Sequence, residues 1–198
     1  MRNGIRWRTM VATLLVAGGI GLVAAAAFIY AGVYDVAASS PHWRLTEKVL
    51  EIARDRSIRT QASGIAVPSG LDDPARLAFG VDHFAAHCAV CHGAPGVPKG
   101  DIAKGLYPAP PNLAQTPPRP PAEVFWILKH GIKMTGMPAW SDHGDDELWA
   151  TVAFLRKLPT LTEEEYAKLI MANAMRGGGH QHGEGMQHGQ EMQHGDRH

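Results

Sequence analysis

A long hydrophobic run opens the chain. Three arginines (Arg2, Arg6 and Arg8) precede an uncharged segment of 26 residues from Thr9 to Tyr34. As a helix this segment is about 39 Å long, which is enough to cross a hydrocarbon layer of about 30 Å. The basic end of such a helix stays in the cytoplasm. The pattern predicts a single-pass signal-anchor over residues 1–35, in a bacterial cytoplasmic (inner) membrane, with the remaining chain on the periplasmic side.

A cleaved signal peptide is the competing interpretation of this run. The segment Val36-Ala37-Ala38 resembles a cleavage site. The apolar region of a signal peptide is usually about 7–15 residues long, however, and this one is longer. The sequence therefore favours a retained membrane anchor over a processed one.

An amphipathic pattern follows over residues 40–59. Ser40 and Pro41 suit its start, and Leu45, Val49 and Ile52 share one helical face. That face has two interpretations, which the sequence leaves open. It docks on the membrane surface or on a partner subunit, or it packs against the domain that comes next.

Separate helical patterns follow between residues 71 and 175. Asp73 and Pro74 have the residue types of a helix N-cap and first turn. Further helices are predicted from Pro121 to Gly131, from Asp145 to Leu158 and from Thr162, where Glu165 completes a capping box. The sequence thus predicts an all-α fold. The helix that starts at Asp73 carries one apolar stripe, which consists of Leu77, Val81, Phe84 and Cys88.

Composition and charge narrow the possible functions. The formal net charge is zero, so the chain has no overall positive charge that would favour binding to nucleic acid. The 22 glycines and 14 prolines indicate a small core with many turns, including a predicted loop from Lys99 to Pro121.

The candidate chemistry lies in the motif Cys88-Ala89-Val90-Cys91-His92. C-x-x-C-H is the pattern for covalent attachment of c-type haem, in which each thiol forms a thioether and the histidine binds the iron. A redox disulfide would need a βαβ context, and no β-branched run precedes Cys88. A zinc site would need further ligands, and these are the only two cysteines of the chain. The motif therefore predicts one haem c held by Cys88, Cys91 and His92.

A second motif gives the chain a family resemblance. The segment Gly136-Met137-Pro138-Ala139 follows the haem motif, and together the two resemble the class I cytochrome c family, especially single-haem bacterial domains of oxidase and dehydrogenase subunits. The resemblance covers Leu71 to Leu161. It implies a small cytochrome c fold and makes Met137 the second axial iron ligand. For Met134 the ordinary role of a methionine, which is to fill the core, is expected. In the family a proline carbonyl, here of Pro110 or Pro111, accepts a hydrogen bond from the iron-binding histidine.

The resemblance also implies a helix crossing. Gly80 costs about 1 kcal/mol in a helix relative to alanine, a cost that a close crossing would offset. In the family a glycine and an aromatic residue of the first helix meet an aromatic residue of the last, and Gly80, Phe84 and Trp149 match that pattern. For His83, His87 and His130, solvated or capping roles at helix ends are expected.

The carboxyl-terminal tail, residues 176–198, changes composition to Gly, Gln, His and Met. The low complexity predicts disorder, and the segment Met-Gln-His-Gly occurs twice. Imidazole and thioether ligands together suggest copper. Weak, non-specific binding of divalent ions is the favoured alternative, because ordering such a chain costs entropy. The candidate copper ligands are His180, His182, Met186, His188, Met192, His194 and His198.

These patterns lead to one functional prediction. An iron whose axial positions are both filled by protein can transfer an electron but cannot bind substrate. The chain is therefore expected to be a non-enzymatic electron carrier that works with redox protein partners. The alternatives are a copper-handling membrane protein whose haem assists, and a haem-based sensor. The predicted divisions are residues 1–35 (anchor), 36–70 (amphipathic helix and linker), 71–161 (haem domain), 162–175 (short helix) and 176–198 (tail).

Overall fold

The computed structural model describes residues 2–175, and these residues form helices and turns without a β-strand. The all-α prediction is therefore confirmed. The tail and its proposed copper ligands lie outside the described residues. In chain order the elements are α1 (Arg2–Tyr30), α2 (Arg44–Ala62), α3 (Pro74–His83) continuing as a π-helical turn (Phe84–Cys88), α4 (Ala89–His92), α5 (Asp101–Lys104), α6 (Pro121–His130), α7 (Asp145–Lys157), a 3₁₀ turn (Leu158–Thr160) and α8 (Glu163–Met175).

Helix α1 has the length and composition of a membrane span. Its apolar part, Arg6–Tyr30, has 25 residues and is not buried against the rest of the described chain. At about 1.5 Å per residue it is roughly 38 Å long, which exceeds the thickness of a hydrocarbon layer. This helix is consistent with a membrane anchor.

Helix α2 begins later than the sequence predicted, because the residues after Ser40 make other contacts. The hydroxyl of Tyr34 lies 2.7 Å from Nδ1 of His42, and the ring of Trp43 packs edge-on against Tyr34 at 5.0 Å. The backbone N–H of His42 donates to the hydroxyl of Tyr107 at 3.1 Å. These contacts hold the end of the α1 segment against a loop of the next domain.

The apolar stripe predicted for α2 is exposed. Leu45, Val49 and Ile52 are 77%, 56% and 53% exposed, so of the two open interpretations the one in which this stripe packs on the next domain is wrong. Helix α2 instead buries Ile58 and Ala62, which lie on its carboxyl-terminal half, where it meets α6. The reason is geometric, because only that half of the helix approaches the domain.

A charged network joins α2 to the start of α6. The guanidinium of Arg119 donates to Asp55 on α2 at 2.8 Å and to Glu123 on α6 at 3.0 Å. Glu123 is buried, so this bridge also provides the partner that a buried carboxylate requires.

The helix ends follow the capping signals of the sequence. The side chain of Asp73 accepts a hydrogen bond from the N–H of Ala75 at 2.8 Å. At α8 the N–H of Thr162 donates to Glu165 at 2.8 Å, and the N–H of Glu165 donates to the hydroxyl of Thr162 at 3.2 Å. The predicted N-cap and capping box are therefore both present. The predicted Lys99–Pro121 loop contains one short helix, α5.

The centre of the domain is the crossing of α3 over α7 at Gly80. A methyl group added to Gly80 would overlap the backbone carbonyl of Ala150 and lie 2.9 Å from Cβ of Phe154. One turn further along α3, the buried ring of Phe84 meets Phe154 at 5.2 Å. The close crossing predicted from Gly80 is present.

The aromatic partner in this crossing differs from the prediction. Phe154, rather than Trp149, contacts Phe84. Trp149 stacks on Phe125 of α6 with ring centroids 4.3 Å apart. Both residues lie on α7, and the rotation of that helix about its axis, which the sequence does not define, determines which aromatic faces α3.

Helix α8 closes the domain over α3. Tyr166 is buried beside Phe84 and Phe154, at 6.5 Å and 6.4 Å between ring centroids. Near the other end of α8, the side-chain amide of Asn173 donates to the carbonyl of Ala78 at 2.6 Å. Helix α8 therefore belongs to the packed core that surrounds the Cys88 segment.

The crossing gives a testable prediction. Gly80→Ala should destabilise the protein by about 1–3 kcal/mol, because the added methyl group meets a backbone that cannot move without separating α3 from α7. Thermal unfolding of the full chain in detergent measures the effect. Gly64→Ala is the matched control, since nothing lies within 4 Å of that position. Equal stability of the two variants would contradict the close crossing.

Candidate functional site

The two cysteines lie where α3 passes through its π-helical turn into α4. Cys88 is buried and Cys91 is half-buried, and neither forms a disulfide. Burial raises the pKa of the Cys88 thiol to about 12. This environment disfavours the thiolate form of Cys88 and so makes it a poor nucleophile for a redox disulfide.

The surroundings of the cysteines argue against zinc. In the described part of the chain, neither cysteine lies within a group of three or more closely spaced His, Cys, Asp or Glu ligand atoms. A structural zinc ion requires four such ligands. The geometry therefore leaves covalent attachment of a group as the chemistry that fits two neighbouring thiols.

His92 ends α4 with its ring held by the backbone. Its Nδ1 lies 2.9 Å from the carbonyl oxygen of Pro111, and the carbonyl of Pro110 accepts from the ammonium of Lys99 instead. The structure thus distinguishes the two prolines that the sequence left open. Because a carbonyl only accepts hydrogen bonds, Nδ1 carries the proton and Nε2 keeps its lone pair. A hydrogen bond made by the ring nitrogen that does not bind the metal fixes the orientation of a metal-binding histidine.

The electrostatics of His92 favour a metal ligand. Burial lowers the pKa of His92, and the hydrogen bond to Pro111 acts in the opposite direction. The net shift is downward, so the ring is neutral near pH 7. A neutral imidazole with Nε2 free is the form that binds iron.

Met137 is positioned by a closed loop. The N–H of Met137 donates to the hydroxyl of Thr135 at 3.1 Å, and its carbonyl accepts from the N–H of Ile132 at 3.2 Å. Gly131, with φ of +65°, turns the chain out of α6 into this loop. The side chain of Met137 is half-buried against the cluster around Leu128.

Met134 occupies a different environment. Its side chain is 83% exposed, and its φ of +60° is unusual for a residue other than glycine. The core-filling role expected for Met134 is therefore wrong, because the turn directs it to solvent. Of the two methionines, Met137 has the restrained position that an axial ligand requires.

These donors together fit a c-type haem. Two unoxidised thiols lie three positions apart, a neutral imidazole has a free Nε2, and a thioether is held by a hydrogen-bonded loop. That set matches the thioether attachment and the His/Met iron ligation of cytochromes c. The structure brings Cys88, Cys91 and His92 onto one continuous helical segment and places Met137 on the separate loop after α6.

Sequence reasoning missed one group of residues near this segment. His83, expected to be solvated or to cap a helix, is 5% exposed and bonds to Glu147 at 3.0 Å. His130 is exposed, as expected. The sequence signal was the four-residue spacing of His143, which directly precedes the N-cap of α7, and Glu147 in the first turn of that helix.

The comparison with known families agrees with the geometry. Residues 75–155 match the family model described as "Cytochrome C oxidase, cbb3-type, subunit III". A comparison with curated proteins finds no match. The matched segment runs from the start of α3 into α7 and contains both cysteines, His92 and Met137.

The Met137 loop gives a second prediction. Gly131→Ala should open this loop at a cost of about 1–3 kcal/mol, because it forces a side chain into positive φ and places its Cβ 2.7 Å from the backbone of Pro138 and Ala139. Hydrogen exchange measured over residues 132–140 should become faster. Gly105→Ala is the control, since its nearest neighbour is at 3.7 Å. Unchanged exchange in the Gly131 variant would contradict this account of the loop.

Proposed function

We propose that this chain, whose residues 75–155 form a class I c-type cytochrome domain, carries single electrons between redox partners at the outer face of a bacterial cytoplasmic membrane. The observation that carries the proposal is the His92 geometry, in which a backbone carbonyl holds Nδ1 and leaves a neutral ring with Nε2 free. The family implies a covalently bound haem c and a role in electron transfer.

Each donor has one role in this proposal. Cys88 and Cys91 would form the two thioether bonds, and His92 and Met137 would hold the iron from its two axial sides. When bound, the haem supplies a one-electron iron couple. With both of these ligands bound, the iron would have no position left for a substrate. The chain therefore needs neither a general base nor a nucleophile.

The remaining residues keep the two axial ligands in place. Pro111 fixes the ring of His92, and Thr135 and Ile132 fix the backbone of Met137. Ligands held by backbone hydrogen bonds keep one geometry in both oxidation states. Electron transfer is faster when little rearrangement accompanies it, so this rigidity suits a carrier better than a sensor, whose methionine would have to dissociate.

The anchor orients the domain in this proposal. The arginines before α1 would keep its amino terminus in the cytoplasm, which puts residues after Asp35 on the periplasmic side. The contacts of His42 with Tyr34 and Tyr107 support a fixed position for the haem domain near the membrane surface. Its electron donor and acceptor would be proteins of that membrane or of the periplasm. The exposed stripe of α2 gives such a partner or the membrane surface an apolar contact.

The test of this function uses the two methionines of one loop. Met137→Ala should lower the reduction potential of the haem and let the reduced protein bind carbon monoxide, because the thioether that raises the potential and closes the site is gone. Met134→Ala should change neither property, since its side chain is in solvent. Absorption spectra and redox titration of the full chain measure both.

Two results would contradict the proposal. Unchanged absorption spectra and an unchanged reduction potential in Met137→Ala would show that Met137 is not an axial ligand of the iron. Rapid binding of carbon monoxide to the reduced wild-type protein would favour the haem-based sensor, because it requires an axial ligand that dissociates easily.

The tail carries a second candidate function, which is copper handling. It rests on the repeated segment Met186-Gln187-His188-Gly189 and Met192-Gln193-His194-Gly195, which supplies imidazole and thioether ligands in pairs. Removal of residues 176–198 should lower the number of tightly bound copper ions by at least one per chain. Titration against a competing chelator measures this number. Equal copper affinity and stoichiometry of full-length and truncated protein would reject the hypothesis.

A further inference from the structure

A histidine cluster lies beside the Cys88–His92 segment. It is formed where the end of α3 meets the start of α7. Nδ1 of His83 and Nδ1 of His143 each lie 3.0 Å from the same carboxylate oxygen of Glu147. One ligand atom from each of the three side chains lies within 4.8 Å of the other two. The ring of His87 adjoins them, with its centroid 4.8 Å from that of His83 and 5.8 Å from that of His143.

The side chains of the cluster are mostly buried. His83 is 5% exposed, and the His143 and Glu147 side chains are 17% and 28% exposed. Trp140 covers the group, with its ring centroid 5.1–5.5 Å from those of the three histidines. A buried imidazole in such an enclosure must satisfy both ring nitrogens. Nε2 of His83 is buried without a hydrogen-bond partner among the described residues.

We infer that His83, His143 and Glu147, with His87 beside them, form a binding site for a divalent transition-metal ion of the Zn²⁺ or Cu²⁺ class. Imidazole nitrogens and one carboxylate oxygen are the ligands that these borderline ions prefer. Bonds of about 2.0–2.1 Å place neighbouring ligand atoms about 3 Å apart in a square or tetrahedral arrangement. The two 3.0 Å separations therefore already match the edges of a coordination polyhedron.

A hydrogen-bonded triad without metal is the other possible role of these side chains. It would use one carboxylate oxygen of Glu147 as the acceptor for the rings of both His83 and His143. Two imidazoles on one carboxylate oxygen, with the ring of His87 beside them, exceed what a helix-capping charge pair needs. The clustering of two imidazole nitrogens and one carboxylate oxygen within 4.8 Å of one another, in a largely buried position, is what favours a cation.

The site has a consequence for the haem, and this consequence rests on the function proposed above. His87 directly precedes Cys88 in the chain, so a cation bound at the cluster would lie near a haem held by Cys88. Positive charge near the iron stabilises its reduced form, which carries one positive charge less. Zn²⁺ should therefore raise the reduction potential of the wild-type protein.

The first test measures metal stoichiometry. The haem-loaded full chain is dialysed against buffered Zn²⁺, and bound zinc is measured relative to haem iron by elemental analysis. His143→Ala and Glu147→Gln should each weaken the cluster site at least about tenfold, and so bind one zinc equivalent fewer than wild type. His130→Ala removes an exposed histidine outside the cluster and should bind as wild type does. The tail histidines are the same in all four proteins, so a difference in bound zinc between them is due to the cluster.

The second test needs only the wild-type chain and no haem signal. Hydrogen exchange with and without Zn²⁺ should show slower exchange in peptides covering residues 80–88 and 140–148. Equal zinc stoichiometry in all variants, or no change of exchange in these peptides, would overturn the inference. Because exchange is measured on the polypeptide, a failed metal site remains distinguishable from a failed haem assignment.

Discussion

The contact of Gly80 with the backbone of Ala150 is the constraint on which the rest of the domain depends. It brings α3 and α7 close enough for Phe84 to pack on Phe154, and the same helix then carries Cys88 into the core. The crossing also brings His83 to Glu147. A larger residue at Gly80 would separate the helices, and both the Cys88–His92 segment and the histidine cluster would lose their geometry together.

The features that the sequence could predict are those that depend on neighbouring residues. The Asp73 N-cap, the Thr162–Glu165 capping box and the C-x-x-C-H spacing are each complete within a few positions. The assignment of Met137 as an iron ligand also came from a local motif and stays a prediction; the hydroxyl of Thr135 accepts from the backbone N–H of Met137 within that loop.

The features that the sequence did not predict depend on how helices rotate and approach each other. Which aromatic of α7 meets Phe84, which half of α2 is buried, and the burial of His83 are all consequences of tertiary packing. A periodic stripe indicates one face of a helix, but it does not indicate how much of that face finds a partner. Exposed Leu45 and buried Ile58 on the same helix illustrate the difference.

The central claim is that Cys88 and Cys91 carry one covalent haem, and peptide mapping by mass spectrometry tests it most directly. The full chain is produced in a bacterium that attaches haem to C-x-x-C-H motifs, then denatured, treated with a thiol alkylating agent and digested. The account predicts that the peptide containing both cysteines carries the mass of one haem and no alkyl group. A peptide with two alkylated cysteines and no haem would contradict it.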